Sequence, residues 1–207
     1  MWVVVGILIS IHTALTVFHY EYAELPWLVR QIFDVDEEDS IPTWYSASAL
    51  LFTAFVLWLL AHGLRISNHP RRGYWYGLSF GFGLLSLDEI AGLHETFNSV
   101  TEISWAVPGG VLALLVGMIY ARFLFTLPGR IAVVMAVGGA VFIGGAVGVE
   151  LLTEPFLYND ALDTLQYNIW TAVEEGMEMA GVLLFLGAVL KHMEALAQSS
   201  SIDVEIS

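Results

Sequence analysis

Long apolar segments recur along the whole chain and are separated by shorter polar ones. A helix needs about 20 apolar residues to cross a hydrocarbon core of roughly 30 Å. Six segments are close to that length, at residues 2–20, 44–64, 74–93, 105–125, 131–152 and 167–190. Their sequences lack the strict alternation of outer-membrane strands, and lipid requires a crossing segment to satisfy its own backbone. The pattern therefore predicts an all-α integral membrane protein, a bundle of about six transmembrane helices.

The polar segments complete the predicted organisation. In the loop after the first apolar segment, Pro26 suits the first turn of a helix, and apolar residues surround Arg30 at 27–33. This arrangement predicts an interfacial helix in the first outer loop, with Arg30 pointing to water. The acidic run at 34–39 predicts a solvated turn, with a loose cation-attracting rim as the alternative. We expect one transmembrane domain at 1–197 and a short polar C-terminal tail at 198–207.

The basic residues give the helices a direction. If six helices alternate across the membrane, all the basic residues except Arg30 fall on the side that holds both termini. They are Arg65, Arg71, Arg72, Arg122, Arg130 and Lys191. Because basic residues mark the cytoplasmic side, both termini are predicted to be cytoplasmic.

Composition narrows the functional class. Of the 207 residues, 57% are hydrophobic and 14% are charged, and the net charge is −14. Such a surface should repel nucleic acid. The sequence contains no cysteine, which excludes disulfides and thiolate metal sites. We expect a multi-pass protein of the prokaryotic cytoplasmic membrane, whose partners are the lipid bilayer, a small or lipidic substrate, and other membrane proteins or copies of itself.

Two glycine pairs indicate close helix packing. Gly77 and Gly81 lie four residues apart in the third apolar segment, as do Gly144 and Gly148 in the fifth. Small residues at this spacing let helix backbones approach closely. The third and fifth helices are therefore predicted to be central.

Acidic residues stand at one end of three apolar segments, and the predicted topology brings those ends to the outer side. Asp88 and Glu95 are seven residues apart, which predicts a shared helix face with Gly92 between them. Ionisable residues inside membranes are costly and are commonly functional. The candidate ligands are Asp88, Glu89, His94, Glu95, Glu150, Glu174, Glu175 and Glu178.

Structural explanations stand beside the functional one for several of these residues. Glu154, next to Pro155, suits a helix end in water, and Glu174 and Glu175 suit the first turn of a helix, where the helix dipole favours acids. His94 and Glu95 could form an interfacial pair. His12, in the middle of the first segment, suits a packed and satisfied histidine.

Several carboxylates inside a membrane need protons, water or a cation to offset their charge. A set of oxygen ligands with one imidazole suits a divalent metal ion, namely iron, manganese or zinc. Di-iron carboxylate bundles carry Glu-x-x-His pairs, and zinc proteases carry His-Glu-x-x-His; this sequence has neither motif.

Four functions remain open from the sequence. The first is a membrane-embedded metalloenzyme, redox or hydrolytic, with its metal centre near the extracytoplasmic face. The second is a proton- or cation-handling transporter, against which the apolar inner halves of the acidic helices count. The third is a non-catalytic subunit of a larger membrane complex. The fourth is haem binding through His19 and His94, which lie at similar predicted depth.

Overall fold

A computed structural model describes residues 1–66, 68–101 and 103–205, with side chains at all of these except 95 and 199–205. Within these ranges all regular structure is helical, so the predicted all-α class is confirmed there. The helices are α1 (Trp2–Glu21), α2 (Trp27–Phe33), α3 (Ile41–Ile66), α4 (Arg72–Ala91), α5 (Leu93–Thr101), α6 (Ala106–Leu124), α7 (Gly129–Ile143), α8 (Glu150–Tyr158) and α9 (Leu165–Glu205). A π-helical segment, Gly144–Val149, joins α7 to α8.

Five stretches are long and apolar enough to cross a membrane by length and composition. They correspond to five of the six predicted segments, and the helices fit a multi-pass membrane protein. The third predicted segment forms α4, a helix of 20 residues, but Asp88, Glu89 and several glycines and serines make it too polar to qualify. The qualifying stretches are Trp2–Glu21, Ile41–Ile66, Ala106–Leu124, Gly129–Tyr158 and Leu165–Gln198.

Helix α4 nevertheless runs antiparallel beside α3 for most of its length. The Ser79 hydroxyl donates to the Ala54 carbonyl oxygen at 2.8 Å, and the Ser86 hydroxyl donates to that of Ala47, also at 2.8 Å. Two polar side chains of α4 thus find acceptors on the backbone of α3, which removes much of the cost of burying them. Helix α4 therefore passes through the same layer of the molecule as α3.

Helix α9 is the central helix of the bundle, packing against α1, α3, α7, the π segment and α8. The backbones of α9 and α7 touch at Gly181. A Cβ added there would lie 2.6 Å from the Phe142 nitrogen and 2.7 Å from the Gly138 oxygen. The third predicted segment, which forms α4, was expected to be central. That expectation was wrong, because α4 packs chiefly against α3. The close contact uses Gly138 and Gly181, a pair that lies far apart in sequence.

The π segment explains why the predicted glycine pair Gly144 and Gly148 does not form one contact surface. A Cβ at Gly144 would meet Met177 and one at Gly145 would meet the Glu174 carbonyl oxygen, yet nothing lies within 4 Å of the corresponding point at Gly148. A π turn holds about one residue more than an α turn, so the residues after it are rotated by roughly 100°. Gly144 and Gly148 therefore do not lie on one face of the helix, although they are four residues apart.

The half of the bundle that holds most of the basic residues is named the inner half, after the predicted topology, and the opposite half the outer half. The inner half is filled by apolar side chains from α3, α4, α6, α7 and α9. Trp75 is its largest fully buried member, and its ring contacts Phe123 edge-on at 4.9 Å and stacks on His192 at 5.3 Å. This inner core closes the end of the bundle where most of the basic residues lie. Its buried hydrophobic members are Val56, Leu57, Leu60, Ala61, Trp75, Phe123, Met135, Phe185, Leu186, Ala188 and Val189.

Helix α1 packs on the outer half of α9. His12 approaches the Asn168 carbonyl oxygen at 3.4 Å, and Val5 packs with Met179 and Leu183. The Tyr45 hydroxyl, near the outer end of α3, donates to the Met1 carbonyl oxygen at 3.1 Å. The first residue of α1 therefore lies beside the outer third of α3 and does not reach its inner end.

The first outer loop contains the predicted short helix, α2, with Trp27 and Leu28 largely exposed. Arg30 points to water only in part, since its side chain is 32% exposed and has two partners. Its guanidinium lies 2.9 Å from Nε2 of His19 and 3.8 Å from a carboxylate oxygen of Asp163. These contacts attach α2 to α1 and to the segment before α9.

The polar C-terminal segment does not form a separate element at its predicted start. Helix α9 continues through residue 198 and ends at Glu205. Residues 206 and 207 of the predicted tail lie outside the described residues.

We expect α4 to cross the membrane together with α3. Since the sequence has no cysteine, single cysteines can be introduced at Pro70, before α4, and at Ser99, after it, where both positions are exposed. A membrane-impermeant maleimide added to intact cells should label Ser99→Cys and should label Pro70→Cys only after permeabilisation. Asn159→Cys, after α8, is the reference for the outer side. Equal labelling of the first two positions in intact cells would show that α4 does not cross.

The backbone contact between α7 and α9 should be sensitive to a single methyl group. Gly181→Ala forces the two helices apart, and overpacking of this kind costs about 1–3 kcal/mol. Gly187→Ala in the same helix has nothing within 4 Å of its new Cβ and should leave stability unchanged or slightly raised. Thermal unfolding of the detergent-purified variants measures both. The packing argument fails if the two variants are equally stable.

Candidate functional site

A cavity of about 900 Å³ lies in the outer half of the bundle, and eleven Asp, Glu and His residues of the described part of the chain line it among other side chains. Seven of the eight candidate ligands are among them, although they come from four separate segments. The side chain of the eighth, Glu95, lies outside the described residues. The eleven are Asp36, Glu37, Glu38, Asp88, Glu89, His94, Glu150, Glu154, Glu174, Glu175 and Glu178.

The carboxylates of α9 lie deepest and face those of the neighbouring helices. Glu178 is close enough to Glu89, Glu174 and Glu150 for direct electrostatic interaction, and Glu175 interacts in the same way with Glu178 and Glu89. Helix spacing alone would place Glu175 beside the stripe formed by Glu174 and Glu178, but the cavity is wide enough to include all three. The seven described candidates therefore line one cavity, although no three of them stand close enough together to hold one metal ion.

Asp88 and His94 form a pair across a break in the chain. Helix α4 ends at Ala91, Gly92 takes a left-handed conformation with φ of 50°, and α5 begins at Leu93. Asp88 Oδ1 accepts the backbone N–H of His94 at 3.2 Å, and Oδ2 lies 3.1 Å from Nδ1 of the same histidine. Asp88 and Glu95 do not lie on one continuous helix, because α4 ends before Gly92. Their predicted shared face depends on the Glu95 side chain, which lies outside the described residues.

Glu150 and Glu154 enter the cavity from α8. The fifth membrane stretch does not end near residue 152 as predicted but continues through Pro155 to Tyr158. Glu154 therefore lines the cavity and accepts a hydrogen bond from the Tyr158 hydroxyl at 3.3 Å. The polar side chains of Asn98 and Ser46 lie near the Glu150 and Glu89 carboxyl groups, respectively. Neutral polar groups thus stand beside some of the carboxylates.

The acidic loop before α3 also lines the cavity, which the sequence did not predict. The backbone N–H of Val35 donates to Nδ1 of buried His12 at 3.2 Å, and the Tyr167 hydroxyl donates to Asp36 at 3.4 Å. A Cβ at Gly92 would overlap the Glu38 carboxylate, so Glu38 packs directly on that backbone. These contacts place the loop over the cavity, while Asp36, Glu37, Glu38 and Asp39 remain exposed in a turn, as predicted for a solvated segment. The only sequence signal was the density of acids at 34–39.

Two other histidines are used for structure. His12 is buried and both of its ring nitrogens have partners, as predicted for a satisfied packing histidine. Nδ1 of His19 accepts the backbone N–H of Leu25 at 3.0 Å, and its Nε2 faces Arg30. His19 is also absent from the residues that line the cavity. The pairing of His19 with His94 around a haem therefore has no geometric support.

The charge of the cavity is strongly one-sided. Ten acids and one histidine, and no lysine or arginine, occur among the described residues that line it. In the observed side-chain conformations, no group of three His, Asp or Glu residues in the described part of the chain could hold one metal ion. Apolar and aromatic side chains, including Leu50, Leu85, Phe142 and Trp105, complete the wall. The arrangement can attract and concentrate cations, and it leaves room for a ligand larger than an ion.

A family model with the description "domain of unknown function (DUF8692)" matches residues 1–192. No curated protein and no solved structure matches the chain. Since the match covers nearly the whole chain, the protein belongs to the DUF8692 family.

Proposed function

We propose that this chain is a six-helix membrane protein that holds a divalent metal ion in its carboxylate-lined cavity, near the extracytoplasmic face. The observation that carries the proposal is the charge of the cavity, where ten acids gather without a lysine or an arginine among the described lining residues. Like charges at short range in a medium of low dielectric repel one another strongly. A cation offsets this repulsion while the carboxylates stay ionised, whereas protonation would remove it by neutralising them.

The candidate ligands come from four segments that the fold brings together. Glu89, Glu150, Glu174 and Glu178 supply carboxylate oxygens, and His94 supplies an imidazole nitrogen. Since these side chains do not already stand in a ligand group, binding requires some of them to rotate toward a common centre. Glutamate has three rotatable side-chain bonds, so such a rearrangement does not require the helices to move. Oxygen ligands with one imidazole favour iron or manganese, and also admit zinc.

The size of the cavity supports an enzyme more than a bare ion store. Sites for small molecules commonly measure about 300–1,000 Å³, and this one measures about 900 Å³. Its apolar wall, with Leu50, Leu85 and Phe142, suits the carbon skeleton of a small or lipidic substrate beside the metal. We propose redox or hydrolytic chemistry for this centre, since iron and manganese support the first and all three metals support the second.

Transport is the second candidate, and the inner core counts against it. A translocation path would have to continue from Glu178 to the inner end of the bundle. Leu57, Leu60, Phe185 and Val189, which pack into the inner core, are buried there. A cavity that ends at a packed apolar core suits binding and catalysis better than passage.

The metal content of detergent-purified protein tests the proposal. Mass spectrometry should find iron, manganese or zinc at about one ion per chain, or at two if the centre is binuclear, and Glu178→Gln and His94→Ala should each lose most of it. The expected loss follows from the removal of a carboxylate at the deepest part of the cavity in the first variant and of the single imidazole among its described lining residues in the second. Glu194→Gln, an exposed acid of α9 outside the cavity lining, should retain the metal.

Folding and metal loss can be separated by recording the circular dichroism and the monodispersity of each variant. If folded wild-type protein holds no metal, even after reconstitution with Fe²⁺, Mn²⁺ and Zn²⁺, the metal centre is refuted. Equal loss in Glu194→Gln would show that the loss does not come from the cavity.

A further inference from the structure

The hydrogen bonds of Asp88 differ from those of the other acids in the cavity. Both of its oxygens engage one residue, with Oδ1 accepting the backbone N–H of His94 at 3.2 Å and Oδ2 lying 3.1 Å from ring nitrogen Nδ1. The backbone bond also satisfies an N–H in the first turn of α5, which has no partner within its own helix. One carboxylate thereby fixes both the main chain and the ring of His94.

The surroundings hold this pair in place. Gly92, with its positive φ, lets the chain reverse between α4 and α5 so that residues six apart can meet. On another side of the imidazole lies Trp105, with ring centroids 6.2 Å apart. The Trp105 backbone N–H in turn donates to Asn98 Oδ1 at 2.5 Å. The ring is thus restrained from two directions.

A carboxylate beside one imidazole nitrogen decides where the proton of the ring resides. The acceptor Oδ2 favours a proton on Nδ1, so Nε2 carries the lone pair and is the nitrogen able to bind a metal. Histidines that bind metals commonly donate their second N–H to a carboxylate in this way, which orients the ring and raises its basicity.

We infer that Asp88 does not ligate the metal but acts as a positioning residue, which fixes the Nδ1–H tautomer of His94 and directs Nε2 to the cavity. The inference deepens the metal centre proposed above and rests on it for its function. It also changes the ligand set predicted from the sequence, since Asp88 leaves the group of direct ligands. The tautomer itself is a property of the protein without metal and can be measured separately.

The first test is ¹⁵N NMR of histidine-labelled protein without metal, in detergent at alkaline pH, where imidazole is neutral. His94→Gln identifies the His94 signals among those of the six histidines. We expect the proton on Nδ1 in the wild type. In Asp88→Asn the amide oxygen can still accept the backbone N–H, but the amide NH₂ then faces Nδ1, so the proton should move to Nε2. Glu154→Gln removes a charge from the same cavity without touching His94 and should leave the tautomer unchanged.

A wild-type ring with a bare Nδ1 would overturn the inference, and this measurement decides the matter even if Asp88→Asn does not fold. An unchanged tautomer in folded Asp88→Asn would overturn it as well.

The second test is titration with Mn²⁺, with free Mn²⁺ measured by electron paramagnetic resonance. Asp88→Asn should bind the same number of ions as the wild type at saturation, with affinity lower by about 10–100-fold, as is typical when the second partner of a ligating histidine is removed. A lower number of ions at saturation would make Asp88 a direct ligand and overturn the inference. If the wild type itself binds no Mn²⁺, Fe²⁺ or Zn²⁺, the proposed metal centre fails, and the tautomer measurement shows separately whether Asp88 positions His94.

Discussion

The central constraint on this molecule is the repulsion among carboxylates held together inside a helical bundle. An ionised carboxylate costs several kcal/mol to bury, and like charges nearby increase that cost. The structure reduces it by enclosing Glu89, Glu174 and Glu178 around a cavity instead of packing them against apolar side chains. Polar neutral groups contribute further, because the Tyr158 hydroxyl donates to Glu154 and the Tyr167 hydroxyl donates to Asp36. What these groups leave unbalanced is the negative charge itself, which is the basis for proposing a cation.

The helix packing around the cavity follows from glycines that bring backbones together. Gly138 and Gly181 let α7 and α9 touch directly. Immediately above it, the π segment wraps against α9 with Gly145 next to the Glu174 carbonyl oxygen. The wider turn then presents Glu150 and Glu154 to the cavity. π-helical turns are frequent at functional sites, and here the turn sets the direction of two acids.

The two halves of the bundle have different roles. The inner half, around Trp75 and Phe123, is apolar and closely packed. The outer half holds the cavity and is closed in part by a loop, which His12 and Tyr167 fasten by hydrogen bonds. Since a packed apolar core stabilises the fold without depending on the acids, the inner half can offset the cost of assembling charge in the outer half. This division is common where function requires groups that are unfavourable for stability.

The sequence by itself determined the helical class, the positions of the apolar segments and most members of the acidic group. It could do so because helices in lipid must be long and continuous, and because acids in apolar surroundings are rare enough to be noticed. Only the tertiary structure decided that Asp36 and Glu38 line the cavity, that Gly92 separates Asp88 from Glu95, and that α9 is central. Each of these depends on contacts between distant segments or on a local departure from α-helical geometry. The spacing of residues along a sequence indicates a shared face only if the helix is regular, and it carries no information about loops. It therefore could not predict the π turn, the left-handed Gly92 or the position of the acidic loop.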